Sequence, residues 1–426
     1  MLVQLETARA AAATRPPFHL FETEQGPHVL AVDGSRVYGV SREVAEAVMR
    51  GELVPGLDST YIDDAPVVDP PLRSLSLAVA QKCNLGCVYC YAQQGTFGGE
   101  PKNMSRETAF RAVDMLVAGV TAGERIHVAF LGGEPLANRA VIREATEYAA
   151  ARGAPVGFSI TTNGTLIEPG DGEFFERHGF AVTISLDGAG EVHDRSRPFR
   201  DGRGSFARIL SRVTPLLRMQ RRMQVSARVT VTPDNMCVED TLDQLIGLGF
   251  HSVGFSPMLA SPNGRGQMEQ SHLDQLLAAM IACGRKFEDA VMAGRRYPFS
   301  NIVNAMREIH RGTHRPYPCG AGAGYMGVSA DGELAACHRF VGEDAGAMGS
   351  LDAGVDRDAR ARWLGRRHVH FQEPCNSCWA RYLCGGGCHH EAIHRGRMAC
   401  DYVRGWLDYC LKAYVGLLDR RPDYFG

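Results

Sequence analysis

The sequence predicts an α/β protein: a partial (β/α)6 barrel over residues 73–300, a small strand-and-helix module before it (1–72), and a cysteine-rich domain after it (301–426). Three observations predict this. Short apolar runs alternate six times with amphipathic stretches between Leu75 and Met258. The residues ahead of them carry closely spaced turn signals. Beyond about residue 312 periodicity dissolves and Gly, Cys and His accumulate.

The six runs are "LSLAVA" (75–80), "IHVAFL" (126–131), "VGFSIT" (156–161), "AVTISL" (181–186), "VSARVTV" (225–231) and "SVGFS" (252–256). Their continuous apolar character suits strands of a parallel sheet buried on both faces. Helical stretches lie between them at 105–121, opened by Ser105 as N-cap, and at 138–152, 205–218 and 238–248. Six units are fewer than a closed eight-fold barrel needs, so the barrel is partial. Loops at the strand C-terminal ends carry the site, as in full barrels.

In the first module, "FHLFETEQGPHVLAVDGSRVYGVS" reads as three short strands with turns at Gln25-Gly26-Pro27 and Asp33-Gly34, followed by a helix over 42–50. After the barrel units comes one long helix, 267–293. The Gly-rich stretch from 312 to 400 carries seven cysteines and too few apolar residues for a core, so metal is its expected staple.

Composition narrows the function. A net charge of −2 over 426 residues offers no basic footprint for nucleic acid and no polybasic membrane patch. No apolar run approaches the roughly 18 residues of a membrane span. The start, "MLVQLETARAAAATRPP", lacks the basic-then-apolar order of a secretory signal. Thirteen cysteines are an odd number for a disulfide framework; without a signal, metal ligation in a reducing cytoplasm is the better account.

"QKCNLGCVYCYA" places Cys83, Cys87 and Cys90 within eight residues, after the first strand. A structural zinc site wants four ligands and a disulfide wants pairs. A four-iron cluster normally takes four thiolates, so three leave one iron open for chemistry. Further motifs close the next strands: "GGEP" (132–135), "TTNGT" (161–165) and "SLDG" (185–188), followed by "HDRSR" (193–197). Together these resemble the radical S-adenosylmethionine (SAM) enzymes.

That resemblance implies a 4Fe-4S cluster on Cys83, Cys87 and Cys90 whose open iron binds SAM. Reductive cleavage of SAM would then release a 5′-deoxyadenosyl radical that abstracts hydrogen from a substrate. It also implies SAM contacts: Gly132, Gly133, Glu134 and Pro135 along the methionine amino group, Tyr89 offering a face to adenine, Ser185 at the ribose, and Arg197 forked to the carboxylate. Ser185 and Arg197 read equally well as a strand-end polar group and a surface ion pair.

The tail "CNSCWARYLCGGGC", with Cys319 and the Gly-x4-Cys of "GELAAC" upstream and Cys400 downstream, resembles the SPASM domain of radical SAM enzymes that modify peptides and proteins. By that resemblance Cys375, Cys378, Cys384 and Cys400 hold a second auxiliary 4Fe-4S cluster, and Cys319, Cys337 and Cys388 hold the first, making three clusters in all. Cys237, Cys283 and Cys410 fall outside the pattern as buried thiols. "HEAIH" (390–394) also matches the zinc-protease helix, so a remote alternative is a protease acting through His390, Glu391 and His394. "CGAGAG" (319–324) imitates a dinucleotide loop without its strand-turn-helix setting.

The substrate reading follows the same tail. In formylglycine-making SPASM enzymes an Asp base follows the Gly-x4-Cys cysteine; here that position is His338. "CHRFVG" and "CWARYLCGGGCHH" look similar to the thioether-forming branch, which includes the six-cysteine-peptide maturases and the enzyme that cross-links the quinohemoprotein amine dehydrogenase small subunit. The expectation is therefore Cys sulfur-to-carbon cross-linking of a ribosomal peptide or small subunit. The alternatives are formylglycine formation and carbon–carbon cross-linking. A flavodoxin or ferredoxin would supply electrons. Residues 18–50 resemble part of a leader-peptide recognition module, which would bind by strand addition, and read equally well as a simple cap.

Overall fold

The structure is a computed structural model that describes residues 18–52, 54, 57, 65–121 and 123–425. The chain divides into two compact units. One comprises Val67–Leu273 and Gly320–Trp363; the other comprises the described residues of Met1–Pro66, Asp274–Cys319 and Leu364–Gly426.

In the second of these units, β1 (Phe18–Thr23), β2 (Gly26–Ala31) and β3 (Arg36–Gly39) form an antiparallel sheet in sequential order. Thr23 pairs with Gly26, so the first turn is two residues long and Gly26-Pro27 begin β2 instead of lying in the turn. The helix expected at 42–50 runs Arg42–Met49, with the Ser41 hydroxyl accepting from Val44 N. Strand β1 packs on the helix Cys400–Arg420, which also receives the helix Ser300–Arg311. Next to the β2–β3 turn, Val32, Val369, Cys375 and Tyr382 make a buried apolar cluster with Trp379 against it. Beside them the fully buried Arg381 pairs with Asp33 at 2.6 Å. His19 of β1 stacks on Trp379 at 3.6 Å and bonds Asp408 at 3.0 Å. The three-stranded sheet is thus tied directly to the loop that bears Cys375 and Cys378.

The other unit is built on one sheet. Its strands are β4 (Ser74–Gln81), β5 (Lys102–Asn103), β6 (Ile126–Gly132), β7 (Val156–Thr162), β8 (Ala181–Ser185), β9 (Gln224–Val231), β10 (Ser252–Pro257), β11 (Tyr325–Val328), β12 (Glu333–Ala335), β13 (Ala347–Ser350) and β14 (Gly354–Val355). The order is β10-β9-β8-β7-β6-β4-β11-β12-β13-β14, with β5 pairing β4. From β10 to β4 every pair is parallel, so the six predicted strands lie side by side in sequence order, the parallel α/β arrangement that the apolar runs predicted. Helices Arg106–Ala118, Arg139–Ala150, Phe206–Met219 and Val238–Gly247 connect them where expected. Ser105 caps the first of these, accepting from Thr108 N at 3.0 Å.

Two features depart from the sequence reading. The helix Pro169–His178 carries good signals, Pro169 in its first turn, a capping box between Glu168 and Asp171 and Gly179 at φ +64°, yet too few apolar residues for periodicity to reveal it. Residues 325–355, read as structureless, supply four strands. Strand β11 pairs in parallel with β4 and the next three follow antiparallel. At two to four residues each they are too short to show a period, and only pairing with an existing sheet edge makes them strands.

Candidate active site

Cys83, Cys87 and Cys90 sit on the loop leaving β4, all partly buried. Backbone contacts hold that loop: Gly86 N donates to Pro198 O, Val88 N to Ser196 O, and Leu85 bridges Phe199. The segment after "HDRSR" therefore acts first as a partner for the cysteine loop. The "TTNGT" turn supports it from the other side. Asn163 Nδ2 donates to Asn84 Oδ1 at 2.9 Å and reaches Cys83 Sγ at 3.7 Å, and Asn84 donates to Thr165 at 2.8 Å.

Burial pushes the Cys83 thiol up to about 11 and the Cys87 thiol up to about 12, against the pull of the Arg197 charge. Neighbouring thiols add to this: Cys90 raises Cys83, and both raise Cys87. Three convergent soft donors ionise together only by sharing a cation, and Leu85 N already donates to Cys83 Sγ at 3.4 Å. These residues fit an iron–sulfur cluster. A cavity of about 330 Å³ opens beside Cys87 and Cys90, walled by Gln93, Gln94, Pro262 and Asn263.

The "GGEP" turn is shaped by the protein's own backbone. Gly132 has φ +146°, and a Cβ on it would strike Ala80 O. A Cβ on Gly133 would strike Lys82 O and lie 2.6 Å from Gly95 Cα. Glu134 is wholly buried, accepting from Thr162 Oγ1 at 2.6 Å, Asn163 N at 2.7 Å and Leu136 N at 3.1 Å. It locks the "TTNGT" turn to the "GGEP" turn, and Pro135 opens the short 3₁₀ turn that follows.

Tyr89 departs from its expected part. Its ring is buried, with Gly266 packed against its Cβ, so it has no free face. Its hydroxyl instead donates to Asp187 Oδ2 and accepts from Arg197 Nη1 at 2.7 Å. Arg197, expected as a possible surface ion pair, is only 9% exposed. Ser185 ends β8 half-buried, with no side-chain hydrogen bond among the described residues. Asp187, in the same "SLDG" motif, escaped the sequence reading because an Asp before Gly reads as an ordinary turn. It is wholly buried, its carboxyl is pushed up by that burial, and Arg197 opposes the shift.

His193 lies under this group. Its Nδ1 accepts from Asp187 N at 3.2 Å, and its Nε2 meets Ser205 Oγ at 3.0 Å. Burial, then the Arg197 charge, depresses it to about 3. A depressed histidine pKa stabilises the fold fully above the ordinary value near 6.5 and loses that contribution as pH falls from there toward about 3. Tm measured from pH 7 down to 5 is expected to fall, by up to about 1.4 kcal/mol of stability per pH unit from this group. In His193→Gln that part of the slope is expected to vanish; an unchanged slope would show that His193 does not titrate as placed.

His338 follows Cys337 on the turn after β12. Its Nδ1 meets the Tyr325 hydroxyl at 2.8 Å, Tyr325 donates on to Ser76 Oγ at 2.8 Å, and the imidazole stands edge-on to Tyr91 at 5.9 Å. Tyr91 follows Cys90 directly, so the histidine and the cysteine loop share one neighbourhood.

In the other unit, Cys375, Cys378, Cys384 and Cys400 come together: Cys375 feels the charges of the other three, and Cys378 and Cys400 both raise Cys384. Gly386 and Gly387, both at positive φ, turn their N–H groups onto Cys384. Arg404 donates to Cys378, and Arg397 stands beside Cys375 and Cys400. Four thiols with N–H and guanidinium donors already turned to them fit a second cluster. Of the remaining predicted ligands, Cys319 and Cys388 belong to this unit and Cys337 to the other. Cys410 is wholly buried inside the helix Cys400–Arg420. "HEAIH" does lie on a helix, His389–Arg395, of seven residues, with the His390 and His394 rings 4.3 Å apart.

Comparison with known proteins places this geometry. Residues 77–245 match the Radical SAM superfamily. The serine-type anaerobic sulfatase-maturating enzyme of Klebsiella aerogenes is 26% identical over 356 residues, covering 79% of this chain and 85% of that one. Among solved structures, anSMEcpe with bound AdoMet superposes with a TM-score of 0.68 at 18% identity, covering 82% of this chain and 100% of that one. Streptococcus suis SuiB bound to its precursor peptide SuiA gives 0.55 at 13% identity, covering 89% and 96%. Three convergent thiols on the loop after the first strand of a six-stranded parallel sheet, with the superfamily match across that sheet, identify residues 77–245 as a radical SAM enzyme domain.

Proposed function

We propose that the enzyme matures a protein substrate by oxidising a serine or cysteine side chain to formylglycine. The observation that carries this is the match to a sulfatase-maturating enzyme over 79% of the chain, well beyond the barrel strands. It favours the formylglycine reading over the thioether cross-linking expected from the tail motifs, and supports no relation to the quinohemoprotein maturation enzyme.

Cys83, Cys87 and Cys90 would hold the SAM-binding cluster; Cys375, Cys378, Cys384 and Cys400 the second auxiliary cluster; Cys319, Cys337 and Cys388 the first. When bound, SAM and the clusters supply a carbon-centred radical and a sink for one electron. Oxidising a serine CH2–OH to an aldehyde removes a hydrogen atom from carbon, a proton from oxygen and that electron, so the protein must offer a proton acceptor. His338 is our candidate, with its Nδ1 engaged by the Tyr325 hydroxyl. The Gly132–Pro135 turn would line the methionine end of SAM, with Ser185 at its ribose and Arg197 at its carboxylate. A flavodoxin or ferredoxin would reduce the clusters, and a reducing, cytoplasmic setting suits so many thiolate ligands. No helix among the described residues is long and apolar enough to cross a membrane.

A second reading, thioether formation, is favoured by one observation: the proton-accepting Asp of the formylglycine makers is replaced by His338. Anaerobic turnover of a peptide carrying a sulfatase-type maturation sequence separates the two. Formylglycine formation leaves an aldehyde that a hydrazide probe captures. Loss of a titratable thiol with no aldehyde would overturn the oxidase reading in favour of cross-linking.

A further inference from the structure

We infer that Asp187 is a positioning residue for SAM, acting through Tyr89 to fix the guanidinium of Arg197 so that its Nε edge faces the ligand. The inference rests on the reading that the Cys83–Cys90 loop holds the SAM-binding cluster, and not on which protein is modified.

An arginine side chain loses roughly 2 kcal/mol of rotamer entropy when fixed, so an arginine that must meet a carboxylate squarely needs a partner that fixes it in advance. Here the partners form a chain. Arg197 Nη1 donates to the Tyr89 hydroxyl at 2.7 Å, and that hydroxyl donates in turn to Asp187 Oδ2. Asp187 Oδ2 itself lies 3.9 Å from Arg197 Nη1, adding a charge partner to the relay.

Asp187 has no freedom of its own. Its Oδ1 accepts from Thr230 N on β9 at 2.9 Å, its backbone N donates to His193 Nδ1 at 3.2 Å, and its carbonyl accepts from Asn235 Nδ2 at 2.9 Å. Its side chain is 0% exposed and that of Arg197 only 11%. So three segments, β9, the loop after it and the short helix Glu191–Ser196, hold one aspartate whose outward contact is with Tyr89 and Arg197.

The arrangement leaves one group unsatisfied. Arg197 Nε is buried and makes no hydrogen bond among the described residues. A buried donor without a partner costs about 1–3 kcal/mol, more for a charged group, so a native protein keeps one where a ligand completes it. A guanidinium pairs with a carboxylate through Nε and the neighbouring Nη2, the edge opposite the Nη1 that Tyr89 engages. The group stands within electrostatic reach of Cys87. An amino-acid carboxylate chelated near that thiolate, as in the methionine moiety of SAM, is the ligand this edge fits. Asp187 also balances the buried cation while the site is without SAM, and Tyr89 is the spacer that keeps aspartate and ligand carboxylate on separate edges.

The test is SAM binding to the reconstituted, full-length enzyme, read by calorimetry and by the change SAM makes to the electron paramagnetic resonance spectrum of the reduced cluster. Asp187→Asn keeps the shape and the Thr230 contact but removes the charge; Tyr89→Phe keeps the ring and removes the relay. Each is expected to raise the Kd for SAM at least about tenfold, with iron content and the spectrum before SAM addition unchanged. Arg197→Lys, which keeps the charge but loses the fork, is expected to match them. If Asp187→Asn fails to load iron, Tyr89→Phe decides. Affinities within twofold of wild type in an iron-replete Tyr89→Phe or Asp187→Asn enzyme would overturn the inference. A wild-type cluster whose spectrum SAM does not alter would instead overturn the cluster reading beneath it.

Discussion

Cys87→Ala enzyme, reconstituted anaerobically with iron and sulfide and given dithionite and SAM, is expected to release no 5′-deoxyadenosine above background. The expected loss is at least about a thousandfold, about 4 kcal/mol of barrier. The reason lies in the donor set. Burial raises the Cys87 thiol further than that of Cys83, to about 12, so it ionises at neutral pH only by coordinating a metal. Alanine there leaves two thiolates for a cluster that binds SAM through a fourth position. Iron analysis should report the loss of one cluster's metal and no more, because Cys375, Cys378, Cys384 and Cys400 converge in the other unit. Undiminished deoxyadenosine from the variant would mean that these three cysteines are not the radical-generating site.

Gly133→Ala should also be damaging, although it touches no metal ligand. The added methyl would meet Lys82 O and Gly95 Cα, backbone on both sides. A flexible side chain can step aside from such a contact, whereas Lys82 immediately precedes Cys83 and its backbone cannot move without carrying the ligand. Overpacking of this kind costs typically about 1–3 kcal/mol and here sits at the unfavourable end. We expect a lower Tm, weaker SAM binding and deoxyadenosine release reduced by roughly tenfold or more, at 1.4 kcal/mol per factor of ten. Gly123→Ala, at a positive-φ turn with nothing within 4 Å, is the control for backbone strain without collision. Equal effects of the two would show that the loss is not specific to the collision beside Cys83.

The predicted strands fall within a residue or two of the observed ones because each is an uninterrupted apolar run, and a run that must be dry on both faces has few other folded forms. The ligand cysteines were legible for a related reason: their spacing on a single loop is a local property. What escaped was non-local or looked ordinary. Strand β11 is four residues, "YMGV", and is a strand only because the edge of β4 is there to pair with it. Asp187 is a turn residue by every local criterion and gains its part from Tyr89, ninety-eight positions earlier.

Tyr89 marks the division most plainly. Its place one residue before Cys90 is written in the chain, and so is the chemistry of three thiolates at that spacing. Whether its ring or its hydroxyl does the work is not, because that depends on what packs against it. The ring is buried, while Asp187 and Arg197 claim the hydroxyl. The sequence by itself determined the parallel β/α order, the loop that gathers Cys83, Cys87 and Cys90, and the second group of thiols, since all follow from residue type and short spacing. Only the tertiary structure decided which buried donors are left unpaired and which carboxylate sets the arginine, because those depend on distances between segments far apart in the chain.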